Sequence, residues 1–152
     1  MKKLMALIDG SVYSRIHSRF HEHFQSVAQR GGYADVLLLN PAGTVIYSIN
    51  KGAEFGVDGT EFPADPMFAQ ALDLLAEHES GATAFVDFTP HDLSGEASAF
   101  VMAPVAHGKN VALGAIVFRL NAATITTSLG AAGGLGESGQ AFIIGSDGAA
   151  RT

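Results

Sequence analysis

The fold is decided by three runs of residues: TAFVDF at 83–88, SAFVMAPV at 98–105 and VALGAIVFRL at 111–120. All three are rich in Val, Ile and Phe, and turn-forming residues bound them, so they are predicted β-strands. The turn HGKN at 107–110 is short enough to pair the last two runs as an antiparallel hairpin. The polar segment TPHDLSGE at 89–96 separates the first two runs, and we expect it to be a functional loop.

A long amphipathic helix is predicted at the start of the chain, over residues 1–30. Apolar residues recur every three or four positions along one helical face: Leu4, Ile8, Val12, Ile16, Phe20, Phe24 and Val27. The pair Gly31 and Gly32 ends the helix. A helix of this length projects beyond a small sheet, so we expect a homodimer through it. The alternative is that the helix packs on its own domain.

The other elements complete an α+β unit over residues 31–129. Two strands at 33–40 and 44–49 form a hairpin around a Pro-Ala-Gly turn. Asp65 is expected to cap a helix that begins at Pro66, and a short helix follows the last strand. The predicted fold class is therefore α+β: a long N-terminal helix plus a five-stranded antiparallel sheet with helices on one side.

Residues 130–152 are predicted to be a linker and the truncated start of a second module. The strand and turn QAFIIGSDG at 140–148 repeats the pattern LLLNPAG at 37–43. The segment GLGESG at 134–139 matches the dinucleotide-binding pattern by its letters. Because it follows a helix and precedes a strand, the reverse of the required order, this interpretation is rejected.

Composition argues against several functional classes. The formal net charge is −6 and the nine Lys and Arg residues are scattered, which argues against a nucleic-acid partner. The sequence contains no Cys, so disulfides and thiol chemistry are excluded. No apolar run approaches the roughly twenty residues that span a bilayer. There is no Gly-x-Ser-x-Gly elbow and no phosphate-binding loop, so neither an enzyme nor a cofactor is predicted.

Four segments in a fixed order carry a resemblance: ADVLLLNPAGTVIY at 34–47, FVDF at 85–88, AFVMAPV at 99–105 and GLGESGQAFIIGSDG at 134–148. Together they resemble the extracytoplasmic double Cache sensor domains of bacterial chemoreceptors and sensor kinases. The resemblance covers nearly the whole chain. It implies a membrane-distal, PAS-like ligand-sensing module in the periplasm. It also implies that membrane contact occurs only through segments absent from this sequence.

A ligand pocket is predicted on the bulkier face of the sheet, with apolar walls and a few polar groups. Alternation along the second run places Ser98, Phe100 and Met102 on that face. The opposite face of the same run is small and smooth, which suits packing under a helix. The predicted ligand-binding residues are Tyr47, Phe85, Asp87, Phe88, His91, Ser98, Phe100, Met102 and Phe118. The alternative is that the aromatic residues are ordinary core and that the polar loop is solvated.

Arg119 and three histidines are the remaining candidates for chemistry. Arg119 is the only basic residue within the predicted strands, and its planar fork suits a carboxylate ligand. The favoured interpretation is an ion pair at a sheet edge or an exposed strand end. His17, His21 and His23 have helical spacing, but a zinc site needs three or four ligands. They are predicted to form a solvated polar face without a metal.

The predicted function is small-molecule sensing for a membrane receptor, either a chemotaxis receptor or a sensor kinase. The amino-acid-binding subgroup of the resembled sensors uses a Trp and an Arg from pocket strands. This chain has no Trp, which argues against an amino-acid ligand. The alternative function is a ligand-free dimerisation module of such a receptor.

Overall fold

The computed structural model describes residues 12–77, 81–90, 93–108, 111–130, 139 and 142–151. Its elements in chain order are α1 Val12–Gly31, β1 Asp35–Leu39, β2 Val45–Ser48, a 3-10 turn Gly59–Glu61, α2 Pro66–Glu77, β3 Ala84–Pro90, β4 Ala97–His107, β5 Val111–Asn121 and α3 Ala122–Gly130. The predicted α+β fold with a five-stranded antiparallel sheet is confirmed. The first part of the predicted long helix, residues 1–11, lies outside the described residues.

The sheet has the strand order β2-β1-β5-β4-β3, and all neighbouring strands are antiparallel. β5 is therefore the central strand, between β1 and β4. The predicted hairpin of β4 and β5 is confirmed, with ten aligned residue pairs from Ser98 to His107. Gly114 on β5 has a φ of 145°, and a Cβ atom there would collide with the carbonyl oxygen of Leu39. Glycine is required at this position because β5 passes so close to β1.

The helix α2 packs on one face of the sheet, here called the inner face, and forms the hydrophobic core with it. The core cluster consists of Leu37, Leu39, Val45, Met67, Phe68, Ala71, Leu74, Leu75, Val86, Phe100, Met102, Ala115 and Val117. Asp65 caps α2 as predicted, because its Oδ1 accepts hydrogen bonds from the backbone N–H groups of Met67 at 2.9 Å and Phe68 at 3.3 Å. The core and the cap together fix α2 across the strands.

The helix α1 packs against the opposite, outer face of the sheet. The rings of His17 and Phe24 each have their centroids 5.2 Å from that of Tyr47 on β2. The outer face of β4 was predicted to lie under a helix, but only Ala99 is buried there, and Val101 and Val105 are each 37% exposed. For Val101 and Val105 the prediction is wrong, because the helix that packs on β4 is α2, on the inner face, and α1 contacts Tyr47 on β2.

The rotation of α1 about its axis differs from the sequence prediction. His17 and His21 are half-buried against Tyr47, so the prediction that they lie on a solvated face is wrong. His23 is exposed, as predicted, while Phe20 of the apolar stripe is 48% exposed. Tyr47 presents both a ring and a hydroxyl to the helix, and this polar partner favours the histidine side over Phe20.

Residues 142–151 form a tight turn after the linker. Ile144 makes an isolated β-bridge with Ala150, and the N–H of Gly145 donates to the carbonyl of Ala149 at 2.9 Å. Gly148 has a φ of 78°, which the turn requires. The turn agrees with the sequence pattern, whereas the predicted strand before it is represented in the described residues only by the single bridge at Ile144. Its assignment to a second module stays a prediction.

The core can be tested by comparing two phenylalanines. Phe68 is fully buried in the core, whereas Phe85 is 62% exposed. We expect Phe68→Ala to lower the free energy of unfolding by about 3–5 kcal/mol, because it removes a buried ring and leaves a cavity. Phe85→Ala should change it by less than about 0.5 kcal/mol. Urea denaturation of both variants provides the measurement, and equal losses would contradict the described core.

Candidate ligand site

The inner face of the sheet changes from apolar to polar at Arg119. Arg119 lies on the central strand β5, two residues after Val117 and therefore on the same face as this core residue. Its backbone is aligned with Asp35 on β1 and with Phe100 on β4. Its side chain is only 12% exposed. The favoured sequence interpretation, an edge pair or an exposed strand end, is therefore wrong in its placement of this arginine.

The guanidinium group of Arg119 joins three separate segments of the chain. Its Nε donates to the hydroxyl of Ser98 on β4 at 2.9 Å. One terminal nitrogen donates to Glu54 Oε1 at 3.1 Å, in the loop after β2. The other donates to Ser94 Oγ at 2.9 Å and Glu96 Oε2 at 3.3 Å, both between β3 and β4. A single cation therefore holds the loops at this end of the sheet in place.

Glu54 is the principal ionic partner of Arg119. It is 1% exposed, whereas the Glu96 side chain is 75% exposed. A buried carboxylate must be paired and hydrogen-bonded, while an exposed pair gains little because water screens it. A Cβ atom at Gly52 would collide with Glu54 Oε2, so the glycine leaves the space that the carboxylate occupies. The loop after β2 is thus shaped to deliver a carboxylate to Arg119.

Asp35 adds a second buried carboxylate beside Arg119. It is 3% exposed, and its Oδ1 accepts from the backbone N–H groups of Val36 at 2.7 Å and Ile49 at 3.0 Å. Its Oδ2 accepts from the hydroxyl of Ser48 at 2.8 Å. These bonds anchor the end of β2 and the beginning of the loop that carries Glu54.

We call the set Asp35, Ser48, Glu54, Ser98 and Arg119 the polar cluster. Two carboxylates and one guanidinium leave one negative charge in excess when all are ionised. A ligand that brings an ammonium group or N–H donors would therefore complement the cluster. A ligand carboxylate, in contrast, would have to compete with Glu54 for Arg119.

The nine residues predicted to bind a ligand do not converge on one place. Ser98 belongs to the polar cluster, whereas Phe100 and Met102 are packed in the core against α2. Three lie on the outer face: Tyr47 under α1, Phe118 against Tyr33 with ring centroids 4.7 Å apart, and the exposed Phe85. Asp87 and the half-buried Phe88 lie towards the end of β3. His91 lies outside the described residues.

Asp87 pairs with the turn at the end of the described chain. Its Oδ2 and Oδ1 accept from two nitrogens of Arg151, at 2.8 Å and 3.1 Å, and Arg151 also donates to Asp147 at 2.9 Å. The hydrogen bonds from Arg151, followed by the one from the Phe88 N–H, lower the pKa of Asp87 below its ordinary value. The two carboxylates in turn raise the pKa of Arg151. Asp87 thus fixes the turn against β3.

An open groove of about 320 Å³ lies elsewhere, where the end of α1 meets the start of α3. Its lining residues are Gly32, Asn121, Ala123, Thr124 and Thr127. Asn121 caps α3, since its Oδ1 accepts from the N–H of Thr124 at 2.9 Å. None of the eight described residues that were predicted to bind a ligand lines this groove, and its lining residues carry no ionic group.

Comparison with solved structures places this fold among extracytoplasmic sensor domains. The sensor domain of the Vibrio cholerae histidine kinase DctB has a TM-score of 0.56 and 20% identity, with 82% of this chain and 44% of that chain covered. The ligand-binding domain of the Pseudomonas fluorescens chemoreceptor CtaA, solved in complex with L-serine, also has a TM-score of 0.56. Its identity is 15%, with 86% of this chain and 52% of that chain covered.

These likenesses confirm the predicted fold of sensor domains of histidine kinases and chemoreceptors. This chain spans about half the length of those two solved structures. No protein-family model and no curated protein matches the sequence. Of the helices in the described residues, none has the length and hydrophobicity to cross a bilayer.

The ion pair between Arg119 and Glu54 can be tested with a double-mutant cycle. Arg119→Met should lower the free energy of unfolding by about 3–5 kcal/mol, because it leaves Glu54 buried without its cation. Glu54→Gln is expected to be destabilising as well, and the double variant should lose less than the sum of the two. Urea denaturation gives all three values. Glu96→Gln is the control, with an expected change below about 0.5 kcal/mol. Strictly additive losses would contradict the pairing.

The Asp87–Arg151 contact predicts a pH-dependent turn. Because pairing lowers the pKa of Asp87, the contact stabilises the docked turn above the ordinary Asp value of 3.8 and is lost as the pH falls below it. Amide exchange at residues 143–151, corrected for intrinsic rates, should therefore accelerate under acid conditions. Asp87→Asn should accelerate exchange already at neutral pH, and Asp73→Asn on α2 is the control. Unchanged protection in Asp87→Asn would contradict the contact.

Proposed function

We propose that this chain is an extracytoplasmic module that senses a small molecule for a membrane signal-transduction receptor. The fold it shares with sensor domains of histidine kinases and chemoreceptors supports this proposal. The receptor's membrane spans and its output part would lie in segments outside this sequence. In this arrangement α1 is the element that carries the signal away from the sheet.

The observation that carries the proposal is the polar cluster on the inner face. Sensor pockets combine apolar walls with a few convergent polar groups, and the cluster adjoins the core at Phe100. Hydroxyls of Ser94 and Ser98 and the exposed carboxylate of Glu96 surround the guanidinium of Arg119. These groups belong to loops and strand ends, which are the positions where binding residues usually lie on a rigid sheet.

The excess of negative charge in the cluster favours a ligand with ammonium or N–H donor groups. Such a ligand would reach Glu96 and Ser94 first, since Glu54 and Ser98 are buried. Binding of the ligand would then shift the conformation of the loop after β2, because Glu54 links this loop to Arg119. A ligand shifts an equilibrium between two conformations only by its difference in affinity for them.

The alternative function is a ligand-free module that holds receptor subunits together. Exposed apolar side chains on the outer face favour it: Phe85 and Val101, whose backbones are aligned on neighbouring strands, and Phe20 on α1. A homodimer through α1 would bury Phe20. In that case the polar cluster would serve stability alone.

A thermal-shift screen separates the two functions. The probes are amines such as putrescine, amino acids, dicarboxylates such as succinate, sugars and purines. A ligand at a hundredfold excess over its Kd stabilises the native state by about 2.7 kcal/mol, so the melting temperature should rise for at least one class, with amines expected first. Glu96→Gln and Ser94→Ala should each weaken that shift when it is measured relative to the ligand-free melting temperature of the same variant, whereas Asp73→Asn should not.

Two results would contradict sensing at the cluster. One is a uniformly flat screen together with a dimer whose population depends on concentration, which would favour the interaction module. The other is a ligand shift that survives both Glu96→Gln and Ser94→Ala, which would place the binding site elsewhere on the chain.

A further inference from the structure

Three aromatic rings of α1 surround Tyr47 at the junction of helix and sheet. The ring centroids of His17, His21 and Phe24 lie 5.2, 6.1 and 5.2 Å from the centroid of Tyr47. The Nδ1 atom of His21 is 2.9 Å from the Tyr47 hydroxyl oxygen. Tyr47 is only 6% exposed. This arrangement, here called the histidine junction, attaches α1 to β2.

The two imidazoles of the junction lie face to face. The rings of His17 and His21 are stacked, with centroids 4.9 Å apart and an angle of 21° between their planes. Two imidazolium rings at this separation repel each other, and burial weakens the solvent screening that would reduce the repulsion. The stacked geometry is therefore suited to neutral rings.

Lys51 and His21, the two groups whose charges act on His17, both lower its pKa. β2 contributes the neutral Tyr47, the loop after β2 contributes the cation Lys51, and α1 contributes His17 and His21 themselves. Arg19 and Glu22 on α1 are exposed. Burial, then Lys51, then His21 lower the pKa of His17 below its ordinary value of 6.5.

We propose that the histidine junction is a proton-sensitive attachment, which holds α1 on the sheet at neutral pH and loosens as the surroundings become acidic. The packed junction binds fewer protons than the separated helix, so its stability rises with pH. Attachment is complete above about pH 6.5 and weakens as the pH falls through that value towards the lowered pKa of His17. Histidine is suited to this role because it titrates nearest to physiological pH.

The junction lies on the outer face, away from the polar cluster, so it is a separate input. Its importance for signalling rests on the proposed function, in which α1 carries the signal. The attachment itself does not depend on that function, and it can be measured without any ligand. A flat ligand screen would therefore count against the proposed function, whereas pH-independent exchange of α1 would count against the histidine junction.

Amide hydrogen exchange of α1 at pH 5.5 and pH 7.5 tests the proposal on the intact chain. After correction for intrinsic rates, residues 17–28 should exchange at least about threefold faster at pH 5.5, since opening of α1 becomes more favourable. The double variant His17→Gln, His21→Gln should lose this dependence. The control His107→Gln, at an exposed strand end, should retain it. Corrected exchange that is equal at both pH values, or a pH dependence that survives the double variant, would overturn the proposal.

NMR titration of the wild-type histidines is a second measurement that does not require a folded variant. The imidazole of His17 should titrate below 6.5, and the Tyr47 ring resonances should shift in the same pH range. A His17 ring that titrates at 6.5 or above, or a Tyr47 ring that does not respond, would overturn the proposal.

Discussion

The Glu54–Arg119 pair is the constraint on which the arrangement of this end of the sheet depends. Arg119 lies on the central strand, where a guanidinium removed from water is costly unless carboxylates and hydroxyls surround it. The loop after β2, the segment before β4 and β4 itself each supply one of those partners. Three segments that are distant in sequence are thus brought together by the need to satisfy one buried cation.

The sheet separates two environments that are adjacent in sequence. Ser48 points to the inner face and binds Asp35 of the polar cluster, while Tyr47 points to the outer face and binds His21 of α1. This follows from the alternation of side chains along a strand. In the proposed function, β2 would couple the two sites, because neighbouring residues of this strand contact both. The short strand β2 is the physical connection between the proposed ligand site and the helix.

Local sequence patterns predicted the helices and strands. The polar cluster, in contrast, depends on contacts between segments that are distant in sequence. The strands, the cap at Asp65 and the side of β4 that carries Phe100 follow from patterns within a few residues. Glu54 has no such signal, because it lies in a loop without periodicity and its partner is 65 positions away. The rotation of α1 about its axis was also not predictable. Turning a helix by one position replaces Phe20 with the histidines, and their partner Tyr47 is distant in sequence.

The Asp87–Arg151 and Glu54–Arg119 ion pairs control different properties because the exposure of their carboxylates differs. Asp87 is 37% exposed in its pair with Arg151, so solvent and salt screen that contact, and it positions a turn at little gain in stability. Glu54 is 1% exposed, and its pair with Arg119 is protected from screening. Raising the ionic strength would therefore weaken the contact between the turn and β3 more than it weakens the Glu54–Arg119 pair. The exposed pair is suited to an adjustable contact, and the buried pair to a fixed one.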